Sequence, residues 1–138
     1  MIEKTPLCHQ RTRKITGSFA FIEHRFLRDG FFEILSHHEL LLYLFLVLVA
    51  DRKGLSYYGY DKTCTLLRLS LDEYILARDA LIQKDLIAFD GYLYQVLSLP
   101  RKPHLPGSVP IKNPEDRVKH DPATIRQLIA NSMGGYND

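Results

Sequence analysis

The chain has 138 residues, 46% hydrophobic and 25% charged, with a formal net charge of +2. That is enough apolar material for one buried core and too short for a two-domain enzyme. Two cysteines without CxxC spacing exclude a disulfide scaffold, and the small net charge neither demands nor excludes a polyanionic partner.

The charge is unevenly spread. Residues 1–30 carry net +3, residues 31–99 net −3 and residues 100–138 net +2. Proline is absent between Pro6 and Pro100 and then recurs at 103, 106, 110, 114 and 122. Proline is barred from helix interiors and central strands, so regular structure belongs before residue 100. The expected organisation is a basic arm at 1–18, a folded domain at 19–99, an extended linker at 100–116 and a terminal helix within 117–138. The N-terminus lacks an apolar signal region, so a cytoplasmic protein with free thiols is expected.

The first strong element follows Ser36-His37-His38-Glu39, an S-x-x-E capping box. It predicts a helix from about 37 to 50, with Gly54 as the left-handed residue after it. Its run Leu40 to Ala50 is far shorter than the about 20 apolar residues of a membrane span. A helix apolar on every side is expected in the middle of its fold or under a second subunit.

Leu55 to Tyr60 is aromatic and predicts a brief strand, and Asp61 to Leu69 a two-turn helix with Cys64 and Leu67 inward. Ser70-Leu71-Asp72-Glu73 repeats the capping box and opens a third helix, to about Lys84, with Tyr74, Ala77 and Leu81 as its apolar stripe. Leu86–Phe89 and Tyr92–Leu97 flank Asp90-Gly91, the favoured pair for a type I′ hairpin turn. The fold class expected is therefore mainly α with a small β-hairpin, a helix-turn-helix followed by a wing.

At these residues the sequence resembles the winged helix-turn-helix modules of phage and plasmid replication proteins and related bacterial regulators. The resemblance rests on LLLYLFLVLVADRKGLS, YDKTCTLLRLSLDEY and LIQKDLIAFDGYLYQV, and extends upstream to Phe21–Leu27. It covers about Phe19 to Leu99 and implies that the third helix enters the major groove of double-stranded DNA. Ser70, Leu71, Asp72, Glu73 and Arg78 would then face the duplex. Asp72 and Glu73 depart from a DNA reader because carboxylates repel phosphate, and the Asp90-Gly91 tip brings no cation. Lys53, Lys62, Arg68 and Arg78 are the candidate phosphate contacts of the core. Arg11, Arg13 and Lys14 form a basic cluster like the arms that other DNA-binding domains lay along the duplex, and Arg101-Lys102 can follow the backbone too.

Nothing in the sequence amounts to catalytic chemistry. His37 and His38 diverge by about 100° on a helix and cannot chelate as an i, i+4 pair does. No HExxH, CxxC, GxSxG or phosphate-binding glycine loop is present. No metal, cofactor or enzymatic activity is expected, and Cys64 reads as a small buried hydrophobe. The tyrosines at 57, 58, 60, 92 and 94 divide between core and exposed stacking or interface positions.

Asp121-Pro122 starts a terminal helix whose stripe is Ile125, Leu128, Ile129 and Met133. Three turns with one apolar stripe need something to pack on: the core, a second copy or another partner. With the all-apolar helix it makes a homodimer the expected state. The leading expectation is a non-enzymatic, cytoplasmic DNA-binding protein, replication-initiator-like or a transcriptional regulator. The alternative is a protein–protein or oligomerisation module, in which the acidic core faces a basic partner in a larger complex.

Overall fold

In the computed structural model, which describes residues 3–104, a 3₁₀ turn at His9–Arg11 precedes the folded body. The body runs α1 (Arg25–Arg28), α2 (His37–Val49), β1 (Leu55–Ser56), α3 (Tyr60–Leu67), α4 (Leu71–Gln83), β2 (Ile87–Phe89) and β3 (Tyr94–Val96). It is mainly helical, with one three-stranded antiparallel sheet in the order β1-β3-β2. Most of the expected linker, and the terminal helix with Ile125, Leu128, Ile129 and Met133, lie outside the described residues.

Both serine caps form. The Glu39 N–H donates to Ser36 Oγ at 3.2 Å, and the Glu73 N–H to Ser70 Oγ at 3.1 Å. Only the second completes the reciprocal box, with the Ser70 N–H donating to Glu73 Oε1 at 2.8 Å. The Glu39 carboxylate instead accepts from the Ser36 hydroxyl at 2.9 Å and from Lys84 Nζ. Each such cap is worth about 1 kcal/mol.

The helix ends differ from the sequence expectation. Ala50 caps α2, so Gly54 is not the residue that terminates it. Gly54 has φ +84°, yet it belongs to a turn built on Asp51, whose Oδ1 accepts from Lys53 N–H at 2.8 Å and Leu55 N–H at 2.9 Å. The left-handed helix ends are Arg68 after α3 (φ 56°) and Asp85 after α4 (φ 62°). Leu69 N–H returns to Cys64 O and Leu86 N–H to Leu81 O, both at 3.1 Å. These bonds satisfy terminal carbonyls in the manner of a Schellman cap, without glycine.

The core joins one face of α2 (Leu42, Tyr43, Leu46, Val47) to Tyr74, Ala77 and Leu81 of α4 and to Leu86, Ile87 and Tyr94 of the hairpin. Phe26 of α1 stacks on Tyr43, with ring centroids 4.9 Å apart and planes 2° from parallel. The opposite side of α2 is open: Leu41, Leu44 and Leu48 are exposed, so this helix is not enclosed in the described chain. In α3 the fully buried side chain is Thr63, while Cys64 and Leu67 are half-buried against the core.

The hairpin turn sits one residue further along than Asp90-Gly91. Phe89 pairs with Tyr94, and the Asp90 N–H donates to Leu93 O at 3.3 Å, which leaves Gly91 and Tyr92 as the central pair. Gly91 alone has positive φ, at 102°, as in a II′ turn and unlike I′, which needs two such residues. The Asp90 carboxylate holds the tip by accepting from Tyr92 N–H at 2.9 Å and Leu93 N–H at 2.7 Å. Among the described residues no helix is long and apolar enough to cross a membrane.

Candidate nucleic-acid interface

The N-terminal arm is open to solvent. Residues 3–19 are exposed throughout, and the arm's local order is the 3₁₀ turn. There Arg11 N–H donates to Cys8 O at 3.1 Å and Thr12 Oγ1 to His9 O at 3.0 Å. Arg11 ends that turn, and Arg13 and Lys14 follow outside any helix or strand, both exposed. None of the three makes an ion pair among the described residues, so their full charge is offered to solvent.

Lys62 is exposed in the second position after the start of α3, and Arg68 is exposed at its end. They too are free of ion pairs among the described residues. Lys53 and Arg52 are exposed in the turn before β1.

The other two expected contacts are placed differently. Ser70 spends its hydroxyl oxygen on the α4 cap, so its lone pairs serve the helix before any base edge. Arg78 is withdrawn from the surface altogether, with 1% of its area exposed. Its guanidinium lies 5.7 Å from the Tyr74 ring centroid and 5.3 Å from that of Phe89, and its Nε donates to Asp79 Oδ1 at 3.1 Å. A cation held between two rings and a carboxylate is a packing element, and Arg78 is corrected accordingly from phosphate contact to core. The position was readable: residue 78 lies four after Tyr74 and three before Leu81, inside the apolar stripe.

With Arg78 inside, the solvent face of α4 is anionic. Asp72 and Leu76 are exposed, Glu73, Asp79 and Gln83 half-buried, and α4 holds no other cation. Glu73 is held below the ordinary carboxylate range, first by the Ser70 backbone N–H, then by the Ser70 side chain and by nearby His38. It therefore stays ionised near the helix N-terminus, where the dipole favours it and a phosphate would not. Asp90 is likewise held low by the Leu93 and Tyr92 N–H groups, which fixes a negative charge at the hairpin tip.

Two features of the fold were not legible in the sequence. Lys84, nearly buried, donates to Ile34 O at 2.7 Å and pairs with Glu39, tying the end of α4 to the start of α2. Tyr74 and Tyr94 share a buried hydroxyl–hydroxyl hydrogen bond across α4 and β3. Among the described residues no three His, Cys, Asp or Glu side chains converge as a metal site. Comparison with family models, with curated proteins and with solved structures returned no match for this chain.

Proposed function

We propose that residues 19–99 are a winged helix-turn-helix and that the protein binds double-stranded DNA without catalysing a reaction, in the cytoplasm, as a replication-initiator-like protein or a regulator. The order α2-β1-α3-α4-β2-β3, the sheet order β1-β3-β2 and the connection Arg68–Ser70 between α3 and α4 support the fold reading. The observation that carries the DNA reading is the exposed arm, whose Arg11, Arg13 and Lys14 have no intramolecular ion pair among the described residues. Lys62 and Arg68 extend this cationic set onto the folded domain.

The mode of binding follows from the placement of charge. An acidic α4 face is a poor reader of base edges next to phosphates, so affinity comes from phosphate neutralisation by the arm and α3. Such binding is weakly sequence-selective and strongly salt-dependent. Measured as duplex affinity between about 50 and about 200 mM salt, each lost phosphate contact lowers the log–log slope by about 0.9. Removing residues 1–18 is expected to lower it by about 3 units. A full chain that fails to bind duplex DNA at the lower salt overturns the reading.

One observation favours a second reading, a protein–protein module. Leu76 is 71% exposed on the solvent side of α4 between Asp72 and Asp79, an apolar anchor in an acidic surround. Retained binding to a basic protein partner, lost in Leu76→Asp, with no DNA affinity at low salt, is the result this reading expects.

A further inference from the structure

A groove of about 810 Å³ runs beside the N-terminal segment. Its floor is Tyr43, Val47 and Ala50 of α2, and its two long walls are residues 17–23 and 96–99. Asp51, Arg52 and Lys53 stand together along its rim, which is net positive, and Glu23 lies in the wall formed by the N-terminal segment.

The N-terminal wall is unusual in two respects. Residues 13–22 belong to no helix or strand, bend at Gly17 and make no backbone hydrogen bond among the described residues. Within that stretch Ala20 packs against the core, while its neighbours Phe19 and Phe21 are 67% and 74% exposed. Ala20 alone anchors the segment, while Phe19, Phe21 and Ile22 on either side of it stay exposed along the groove. A segment with unpaired backbone groups and exposed phenylalanines beside a groove offers an apolar contact surface.

We propose that this groove and its N-terminal wall are the interface with a second copy of this chain, Phe19 and Phe21 of each copy entering the groove of the other. A two-fold contact needs one patch that carries both the projection and the recess, and here they adjoin. The charges are also self-complementary. When the wall of one copy enters the groove of the other, Glu23 meets Arg52 and Lys53 of the second copy, in both directions at once. Covering two phenylalanines per copy removes on the order of 300 Å² of apolar surface from each chain. That supplies the apolar centre of an interface, which ordinarily buries roughly 800 Å² per partner. The open backbone of 13–22 and the Glu23–Arg52/Lys53 rim supply its polar part. This inference does not depend on the DNA reading, and it puts the dimer contact on the N-terminal segment instead of the stripe Ile125, Leu128, Ile129 and Met133.

Light scattering of the full chain tests it, with thermal melts followed by circular dichroism. The unaltered chain is expected to be a dimer whose melt rises with concentration, and Phe19→Asp/Phe21→Asp a monomer with an unchanged circular-dichroism spectrum and a concentration-independent melt, because neither ring belongs to the core. Glu23→Lys and Arg52→Glu/Lys53→Glu should each raise the dimer dissociation constant about tenfold, and their combination should restore it. A monomeric unaltered chain overturns the proposal, as does a dimer that survives the phenylalanine changes or a combination that restores nothing. So does a dimer abolished by removing residues 117–138 or by Leu44→Asp/Leu48→Asp, which assigns the contact to the terminal segment or to the open face of α2. Arg11→Ala/Arg13→Ala/Lys14→Ala keeps the backbone of 13–22 and both phenylalanines in place, so DNA binding by this variant and its oligomeric state are read separately.

Discussion

The guanidinium of Arg78 lies 5.3 Å from the centroid of the Phe89 ring, so the cation of α4 is bound to the hairpin instead of facing outward. This contact, with Tyr74 at 5.7 Å on the same helix, makes Arg78 part of the joint between α4 and the sheet. It also leaves the outward side of α4 to Asp72, Glu73 and Asp79, which is why the candidate DNA contacts retreat to the arm and α3.

Replacing Arg78 separates these roles. Arg78→Ala removes the aliphatic stem and the ring contacts and leaves Asp79 without one of its partners, a loss of about 2–4 kcal/mol in urea unfolding. Lys62→Ala and Arg68→Ala, at exposed positions, should leave the urea midpoint nearly unchanged while weakening duplex binding at low salt. An Arg78→Ala chain as stable as the parent contradicts the packing role.

Gly54 and Asp85 make an opposite pair. A Cβ on Gly54 would stand 2.5 Å from the Val96 carbonyl oxygen, and the residue is already at φ +84°. Gly54→Ala should therefore cost about 1–3 kcal/mol, through strain and through displacement of β3 from the turn. Asp85 has φ 62° and closes α4 without such a contact, so Asp85→Gly should add about 0.5–1 kcal/mol. Its approach to His104, at 4.0 Å and partly exposed, offsets little of that gain. Thermal melts of the two variants should move in opposite directions.

Lys84 and Glu39 should behave as a unit. Lys84→Met leaves the Glu39 carboxylate, 14% exposed, with only the Ser36 hydroxyl as donor and no counter-charge, and takes the side-chain donor from the Ile34 carbonyl, at a cost of about 3 kcal/mol. Adding Glu39→Gln removes the stranded charge, so the double variant should lose less than the sum of the single changes. A double-mutant cycle in urea measures the coupling, and strict additivity would show that the pair is not linked.

Acid and alkali should destabilise through different residues. Asp51, Glu73 and Asp90 are held below their ordinary values chiefly by backbone N–H groups of Leu55, Ser70 and Leu93. Their stabilisation is present above the unfolded carboxylate range and is lost as pH falls through the lower folded values. Ser70→Ala should flatten the acid limb of the pH–stability curve by removing part of Glu73's hold. Tyr43 is pushed up to about 12 by burial, with Glu23 adding to it. The folded state keeps that proton longer than the unfolded chain, so the stabilisation is complete below about 10 and declines as pH rises towards 12. Tyr43→Phe should abolish the decline specific to this group.

The local signals carried most of the element plan. Ser36 and Ser70 announced both long helices because a side-chain cap is made within four residues, and the Tyr74–Ala77–Leu81 period identified the face that α4 buries. The same period contains Arg78, but charge suggested the surface, and only the proximity of Phe89, eleven residues on, makes burial of that cation tenable. Gly54 and the Asp90 turn show the same limit at shorter range. Composition favours a left-handed glycine and an Asp-Gly pair, while the carboxylates of Asp51 and Asp90 choose which backbone groups actually close each turn.

By itself, then, the sequence determined what depends on neighbours along the chain: helix starts, the apolar face of α4, the hairpin, and the division into basic arm and acidic core. The tertiary structure decided what depends on residues distant in sequence: the burial of Arg78, the Lys84–Glu39 tie, the open side of α2, and the groove between residues 17–23 and 96–99. The physical reason is that helix capping and periodicity act through bonds spanning a few residues. Burial, pairing of charge and the shape of a groove are set by segments that meet only when the chain has folded.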